Sequence, residues 1–425
     1  MPGKLLVALV AALTVAAGCG SSDDAGDLNT LTLWHYEGPD SAMGIAWAEA
    51  IRLFEESHPG VTVEFEEKGF EQVQKTAPMV LNSSDAPDLM EYNKGNATTG
   101  LLSKQGLLTD LSVEAADRGW DRKVGAGPDI TARYDERGVM GSGKWYGVPN
   151  YAEYVLVYYN KTMFDQRGLA APTTLEELTA AMGRFAAEGI TPLAVGGAEY
   201  PAAQLLYQLA LTRADRDWVD RFQRYTGEVD FHDRTWSNAV ETFAAWLREG
   251  YLDEDSAGLK AEDMGLGFAQ GRHPIMISGS WWYGRLRSQV RDFEWATAAW
   301  PGMTAGSGGN LWVVPKGAKN KELALDFIDI TLSQPVQDLL RDSGGVALAP
   351  GDAPATDPGV ARLNEDFREL SAGDRLAFYP DWPVPGFYDA QVTAVQKLIT
   401  GELGPHEVLT ELADYYRENL AGVGG

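Results

Sequence analysis

The chain contains a run of apolar side chains over residues 154–159, where no polar position interrupts Tyr-Val-Leu-Val-Tyr-Tyr. β-Branched, leucine and aromatic residues without alternation are typical of a strand buried on both faces. Gly147 and Pro149 interrupt regular backbone just before the run, and Tyr151 and Glu153 offer polar groups where the predicted strand begins. The pattern predicts a buried strand that starts at a hinge-like crossover.

The beginning of the chain alternates between strand and helix patterns. Residues 31–34 and 61–65 have strand composition, and a helix is predicted between them over residues 45–57. The apolar face predicted for this helix consists of Ile45, Ala48, Ile51 and Phe54. The order predicts a βαβ opening. Because ligands bind beyond the carboxyl ends of strands in open α/β sheets, Tyr36 and Glu37 are candidate binding residues, with an exposed loop as the alternative.

A further strand end carries candidate residues. Residues 86–93 (Ala-Pro-Asp-Leu-Met-Glu-Tyr-Asn) predict a strand that ends at Tyr92 and Asn93. The amide of Asn93 offers both a donor and an acceptor, which suits a hydroxyl group. A further strand is predicted over residues 190–195.

The amino-terminal residues have the pattern of a lipoprotein signal. Lys4 precedes an apolar run over residues 5–15, which is shorter than the roughly 20 residues of a permanent membrane span. Ala-Ala-Gly then precedes Cys19, the one cysteine in the chain, and residues 20–27 are small and polar. We expect residues 1–19 to be a signal peptide, Cys19 to carry a lipid, and residues 20–27 to be a flexible tether. The chain would then lie lipid-anchored at the extracellular face of the cell membrane, without disulfides.

Length and charge limit the classes of partner. About 400 mature residues exceed what one hydrophobic core usually serves, so two lobes are expected. The 61 acidic and 35 basic residues give a net charge of -26. Long-range repulsion therefore disfavours nucleic acid and anionic ligands, and a neutral ligand is expected.

Motifs for nucleotide, metal or nucleophile chemistry do not emerge from the sequence. Residues 138–144 (Gly-Val-Met-Gly-Ser-Gly-Lys) approach a phosphate-binding loop, but Trp145 stands where the magnesium-binding serine or threonine would be. The five histidines are far apart, and no His-Glu-x-x-His or Gly-x-Ser-x-Gly motif occurs. We therefore expect no cofactor, no metal and no catalytic residues.

Several motifs together resemble one known family. Residues 268–272 (Phe-Ala-Gln-Gly-Arg) precede residues 275–283 (Ile-Met-Ile-Ser-Gly-Ser-Trp-Trp-Tyr), and residues 308–315 (Gly-Gly-Asn-Leu-Trp-Val-Val-Pro) precede a helix pattern over residues 320–327. With the crossover at residues 143–164, these motifs resemble the extracellular solute-binding proteins of ABC transporters, in the branch of the maltose-binding protein.

The resemblance implies an α/β, two-lobed periplasmic-binding-protein-like fold of class II, with a hinge between the lobes. Residues 28–150 and about 302–348 would form lobe 1, and about 151–301 and 349–425 would form lobe 2. Such a protein is a monomer that closes on a neutral di- or oligosaccharide and docks on membrane permease subunits. The segment over residues 34–43 resembles the corresponding segment of family members that bind β-linked plant sugars such as xylobiose. Maltose-type and chitobiose-type ligands are the alternatives.

The resemblance also assigns roles to candidate residues. Glu153 matches a sugar-binding glutamate, with a solvated glutamate at the start of an ordinary core strand as the alternative. Trp281 matches the tryptophan that stacks on sugar, with Trp282 either sharing that contact or packing beneath it. In the proline-rich loop over residues 379–388, Trp382 and Tyr388 would form a second stacking wall or pack a carboxyl-terminal subdomain. The full set of expected binding residues is Tyr36, Glu37, Tyr92, Asn93, Tyr151, Glu153, Tyr200, Trp281, Trp282, Asn310, Trp382 and Tyr388.

Two other classes of protein remain open from the residues. A cell-surface glycoside hydrolase would need two carboxyl groups about 5 to 10 Å apart, and this acidic chain offers many. A polysaccharide-binding adhesin would present its aromatic residues on an open face instead of in a cleft.

Overall fold

The computed structural model describes residues 29–125 and 127–424. The expected signal peptide, the lipid site at Cys19 and the tether over residues 20–27 lie outside these ranges. Within them, every helix is too short or too polar to cross a bilayer.

The strands belong to two main sheets and one small ribbon. In chain order they are β1 Thr30–His35, β2 Thr62–Glu67, β3 Leu89–Tyr92, β4 Arg133–Tyr134, β5 Lys144–Trp145, β6 Val148–Pro149, β7 Ala152–Asn160, β8 Leu193–Ala194, β9 Ile275–Gly279, β10 Trp295–Ala299, β11 Thr304–Gly308, β12 Leu311–Val313 and β13 Leu376–Ala377. The first sheet has the order β2-β1-β3-β12-β6. The second has the order β13-β11-β7-β9-β8, with β10 also paired to β7, and β4 pairs with β5 alone.

Helices cover both sheets. They are α1 Ala42–Ser57, α2 Phe70–Leu81, α3 Leu101–Lys104, α4 Ser112–Asp117, α5 Trp120–Val124, α6 Lys161–Gln166, α7 Leu175–Ala186, α8 Tyr200–Leu211, α9 Arg216–Arg224, α10 Arg234–Arg248, α11 Ala261–Ala269, α12 Trp282–Gln289, α13 Lys321–Thr331, α14 Gln334–Asp342, α15 Pro358–Ala372, α16 Phe387–Ile399 and α17 Pro405–Gly424. Short 3-10 helices occupy Pro128–Ala132 and Glu254–Gly258, and a π-helical turn occupies Asn96–Gly100.

The first sheet begins with the predicted βαβ unit. Strand β1 pairs in parallel with β2 and β3, and α1 packs on α13 and α14. The apolar face predicted for α1 holds at Phe54, which is buried, and in part at Ile51, which is half-buried against the same core. It is wrong at Ile45 and Ala48, which are exposed, because the helix buries Met43, Trp47 and Ala50 instead. The reason is that strict three-residue spacing drifts around a helix of 3.6 residues per turn, whereas alternating steps of four and three follow one face.

The second sheet is built on β7. All nine of its residues are buried, which confirms the buried strand predicted over residues 154–159. It pairs antiparallel with β9, β10 and β11. A strand with neighbours on both edges and helices on both faces has no solvated face, so its sequence contains no polar alternation.

The chain passes between the two sheets at three neighbouring points. Two of them, residues 150–151 and 309–310, run side by side, and the Gly309 amide donates to the Tyr151 carbonyl at 2.6 Å. At the third, Val346 bridges to Ala152 at the start of β7. Because β11 pairs with β7, the chain returns to the first sheet at residue 309 and not near residue 302 as expected. The adjoining crossovers form the hinge between two lobes.

Candidate functional site

A cleft between the two sheets encloses a cavity of about 760 Å³. All of the expected binding residues except Tyr92 line it: Tyr36, Glu37, Asn93, Tyr151, Glu153, Tyr200, Trp281, Trp282, Asn310, Trp382 and Tyr388. The fold therefore brings together side chains that are up to 352 positions apart along the chain, from Tyr36 to Tyr388. They come from both lobes and from the hinge.

Tyr92 is the expected residue that the structure does not place in the cavity. Its side chain is 3% exposed and belongs to a hydrophobic cluster that also contains Leu102 and Tyr134. The Tyr92 side chain packs into this cluster, and the residues beyond the end of β3 reach the cleft instead. Asn93 and Lys94 line the cavity there.

Trp281 occupies the centre of the cleft. It lies two residues beyond β9, is half-buried, and packs against all three hydrophobic clusters of the described residues. Its indole Nε1 donates to the Tyr200 hydroxyl at 3.3 Å, and Tyr379 lies with its ring centroid 6.1 Å away. A Cβ atom at Gly279 would meet the Trp281 ring at 1.9 Å, so glycine is required there. The ring is thus held between fixed neighbours.

A chain of hydrogen bonds joins the polar residues of the hinge. The Asn310 side-chain amide donates to the Tyr151 hydroxyl at 2.9 Å, and that hydroxyl donates to Glu153 Oε2 at 2.8 Å. The other Glu153 oxygen forms an ion pair with Lys94 Nζ. Glu153 is therefore engaged on both oxygens, and it fixes Lys94 and Tyr151 at the floor of the cleft.

Lys94 is a buried cation that sequence reasoning missed. Its side chain is 3% exposed, and Nζ lies 4.9 Å from the Tyr379 ring centroid and 5.5 Å from the Trp382 ring centroid. An ammonium group between two aromatic faces and a carboxylate is well compensated. The available signal was its position two residues after Tyr92, just beyond the end of β3.

Glu37 is a cleft carboxyl group with little compensation. It is 9% exposed, and its contact is the Ser41 hydroxyl at 3.4 Å. Burial raises its pKa, and the nearby charges of Glu91 and Glu153 add to that rise. Burial also raises the pKa of Glu91 to about 7, behind the cavity wall. A neutral carboxyl group can donate as well as accept, which suits a ligand hydroxyl.

Two of the expected stacking residues serve mainly as packing. Trp382 is 1% exposed, and a Cβ atom at Gly95 would meet its ring at 2.4 Å. Trp282 is 2% exposed, and a Cβ atom at Gly265 would meet its ring at 2.2 Å. Each ring is pressed onto a glycine, so only a small part reaches the cavity.

Contacts across the cleft hold the two lobes together. The Tyr388 hydroxyl of lobe 2 donates to Glu71 of lobe 1. The Gln289 side-chain amide of lobe 2 donates to Asp40 of lobe 1 at 2.8 Å. Arg285 of lobe 2 forms an ion pair with the same carboxylate, with Nε at 3.5 Å from Oδ1. The two lobes therefore touch each other across the cleft.

Several residues that line the cavity were not predicted from the sequence. Gln204 and Gln391 had a weak signal, because each lies one helical turn beyond a predicted tyrosine, Tyr200 or Tyr388, on the same helix face. The other missed lining residues that offer rings or charges include Phe70, Glu71, Arg285, Tyr379 and Asp381. Asp381 accepts from the Asn93 side-chain amide at 3.3 Å, and burial raises its pKa to about 6.

Acidic side chains outnumber basic ones around the cavity. The acids are Glu37, Asp40, Glu67, Glu71, Glu153, Glu199, Glu262 and Asp381, and the bases are Lys68, Lys94, Lys260 and Arg285. Glu262 and Arg285 neutralise one another through two bonds of 2.7 Å. The remaining field disfavours an anionic ligand. Among the described residues, no group of three or more His, Cys, Asp and Glu side chains is arranged to hold a metal ion.

Two α/β lobes, a hinge of adjacent crossovers and a cavity lined by rings and hydrogen-bonding groups define a two-lobed solute-binding protein. The chain belongs to the family described as bacterial extracellular solute-binding protein, whose profile matches residues 37–338. This match confirms the family indicated by the sequence motifs and the fold class expected from it.

Relatives cover different shares of the chain. The diacetylchitobiose binding protein DasA of Streptomyces coelicolor is 25% identical over 438 residues, covering 93% of this chain and 95% of that protein. A probable sugar-binding periplasmic protein of Mesorhizobium japonicum is 23% identical, covering 72% of this chain and 74% of that protein. A probable sugar-binding periplasmic protein of Rhizobium meliloti is 35% identical over 111 residues, and the chain spans 25% of its length.

Solved structures share the fold over nearly the whole chain. A chitin oligosaccharide binding protein superposes with a TM-score of 0.77 at 22% identity, covering 92% of this chain and 99% of that one. A structure described in connection with xylan utilization by the thermophilic bacterium Caldanaerobius polysaccharolyticus gives a TM-score of 0.75 at 18% identity. The match covers 91% of this chain and 99% of that one. At these identities the likeness concerns the fold.

Proposed function

We propose that this protein is the sugar-binding component of an ABC importer, which captures a neutral di- or oligosaccharide in the cleft and delivers it to membrane permease subunits. The observation that supports this most directly is the half-buried Trp281 ring at the centre of the cleft, flanked by Tyr200 and Tyr379. Aromatic faces cover the apolar C–H faces of sugars, and the surrounding polar groups take the hydroxyls.

The candidate sugars come from two sources, the names of similar proteins and the opening of the sequence. Relatives and structural neighbours are named for diacetylchitobiose, chitin oligosaccharides, xylan and raffinose. The sequence opening favours a β-linked plant disaccharide such as xylobiose, with chitobiose-type and maltose-type ligands as alternatives. The acidic excess around the cavity supports a ligand without negative charge.

Binding is proposed to discriminate by hydrogen-bond matching in a closed cleft. Glu37, Asn93 and Asn310 would meet ligand hydroxyls, while Glu153 holds Lys94 and Tyr151 in place beneath them. Each buried hydroxyl left unpaired costs about 1 to 3 kcal/mol, so a sugar with a misplaced hydroxyl binds more weakly. The ligand shifts the lobes toward the closed form by binding it better.

The cellular setting is proposed from the family and the amino-terminal sequence. A lipid on Cys19 would anchor the protein at the extracellular face of the membrane, and residues 20–27 would let the lobes reach a permease. The protein would act as a monomer without altering its ligand.

The test uses mature protein from residue 20 onward and a panel of di- and oligosaccharides. Thermal shift selects the ligand, because a ligand at 100 times its Kd adds about 2.7 kcal/mol of stability. Calorimetry then compares Trp281→Ala with Trp295→Ala, which removes a half-buried indole that does not line the cavity. We expect more than tenfold weaker binding for Trp281→Ala alone, with an unchanged fold.

Three outcomes would contradict the proposal. Products released from the oligosaccharides would indicate a glycoside hydrolase. Retention of long polymers alone would indicate an adhesin. Equal affinity of Trp281→Ala and the unmodified protein would remove the central ring from the site.

A further inference from the structure

Two glutamine side chains face the cavity without a hydrogen-bond partner among the described residues. Gln204 of α8 is 4% exposed and Gln391 of α16 is 3% exposed, and both line the cleft. A buried carboxamide normally has its donors and its acceptor satisfied. These two amides are therefore open to whatever occupies the cavity.

Other buried glutamines show what a structural role looks like in this protein. Gln208, one turn beyond Gln204, donates to the Thr304 hydroxyl at 2.7 Å and accepts from the Ala305 amide at 3.1 Å. Gln337 likewise donates to the Asn150 carbonyl at 3.0 Å and accepts from the Leu348 backbone amide at 2.9 Å. The unpaired state of the cavity glutamines is thus not a general feature of this core.

The two glutamines belong to one wall of the cleft, which we call the helix wall: Tyr200, Gln204, Tyr388 and Gln391. Helices α8 and α16 pack side by side. Tyr200 and Gln204 are four positions apart, and Tyr388 and Gln391 are three apart, so each helix presents one ring and one amide on one face. The wall lies beside Trp281, since Tyr200 accepts the Trp281 indole hydrogen bond.

The cavity has room for more than the ring stacked on Trp281. Its volume of about 760 Å³ is well inside the range of about 300 to 1,000 Å³ that holds drug-sized ligands. A carboxamide can donate to one hydroxyl and accept from its neighbour, which matches two adjacent hydroxyls of a sugar ring.

We propose that Gln204 and Gln391 are specificity-determining residues that bind adjacent hydroxyls on a sugar ring next to the one held by Trp281. This inference rests on the proposed function and deepens it. A disaccharide then gains its advantage over the corresponding monosaccharide largely from the helix wall.

The experiment measures affinity for matched pairs: xylobiose and xylose, diacetylchitobiose and N-acetylglucosamine, maltose and glucose. Gln204→Leu, Gln391→Leu and the double variant are compared with Gln396→Leu. Gln396 lies on α16 outside the cavity and donates to the Ala257 carbonyl at 3.0 Å. We expect each cavity variant to bind the preferred disaccharide about 5-fold to 100-fold more weakly, and Gln396→Leu to keep its affinity.

Two further readouts separate this role from a structural one. The ligand-free Tm of the cavity variants should stay close to that of the unmodified protein, because leucine removes no side-chain hydrogen bond to the described residues. Monosaccharide affinity, where measurable, should stay within about twofold of the unmodified protein. Disaccharide affinity that matches Gln396→Leu would overturn the inference and leave sugar binding intact. Absence of binding to every sugar by the unmodified protein would overturn the proposed function as well.

Discussion

Lys94 and Glu153 form an ion pair at the floor of the cleft, with side chains only 3% and 4% exposed. Lys94 lies just beyond the end of β3 in the first sheet, and Glu153 lies in β7 of the second sheet. The pair therefore joins the two lobes at the point about which they would open and close.

Breaking this pair from one side should destabilise the protein. In Lys94→Met the Glu153 carboxylate stays buried without its cation, and removal of one partner of a buried pair costs about 3 to 5 kcal/mol. Urea unfolding at neutral pH measures the loss. Lys316→Met, at an exposed position, should unfold like the unmodified protein.

The double variant Lys94→Met with Glu153→Leu distinguishes pairing from packing. It should recover part of the lost stability, because the orphaned charge is gone. Equal stability of the single and double variants would mean that the lysine stem, and not its charge, supports the hinge.

Glu91 should make the free energy of unfolding depend on pH. Its side chain is fully buried and accepts from the Asn150 amide at 2.9 Å, and burial raises its pKa from 4.5 to about 7. The folded state thus binds a proton that the unfolded state releases between these values, and stability falls as the pH rises through them. The contribution is fully present below pH 4.5 and is lost above pH 7.

Glu91→Gln resembles the protonated acid at every pH. It should match the unmodified protein near pH 4.5 and be more stable by about 3 kcal/mol at pH 8, since one pKa unit corresponds to about 1.4 kcal/mol and the pKa rises from 4.5 to about 7. Urea unfolding of both proteins across this range gives the difference curve. A difference that stays constant with pH would mean that Glu91 remains charged when folded.

The crossover glycine at position 309 should tolerate no side chain. A Cβ atom there would lie 2.8 Å from the Tyr151 ring, at the point where two crossovers touch. Gly309→Ala should lower the unfolding free energy by about 1 to 3 kcal/mol and weaken sugar binding, because Tyr151 must move and it holds Glu153. Gly317→Ala is the matched control, since nothing lies within 4 Å of its Cβ position. Equal Tm values for the two variants would contradict the steric argument.

Much of the fold could be predicted from local sequence. The residues of β7 lack polar alternation because both faces of the strand are covered, and that composition is visible without a structure. The face of α1 was mispredicted because several apolar sets compete on a helix whose alanines fit either side. The return to the first sheet was placed too early because β11, residues 304–308, is a short Gly-rich strand with little strand signal.

The site was predictable only where a motif or a strand end marked it. Trp281 and Asn310 follow recognisable motifs, and Glu37 follows a strand. Gln391 reaches the cavity through packing between distant segments, which local periodicity does not report. Lys94 was missed although it lies just beyond the end of β3. A buried lysine is moreover unusual, because its charge must find a partner, and Glu153 lies 59 positions away.

The hydrogen bond from Tyr388 to Glu71 should favour the closed form of the cleft. It links α16 of lobe 2 to α2 of lobe 1, so it exists only when the lobes approach. Tyr388→Phe keeps the ring and removes the hydroxyl. A hydrogen bond to a carboxyl group contributes about 1.5 kcal/mol, so its loss should make closing the cleft less favourable and weaken sugar binding about tenfold.

The control is Tyr415→Phe, which removes a hydroxyl bonded to the Pro385 carbonyl within lobe 2 and should leave affinity unchanged. Calorimetry gives the affinities, and small-angle scattering should show a larger radius of gyration for ligand-free Tyr388→Phe. Identical affinity and radius in the two variants would show that closure does not depend on this contact.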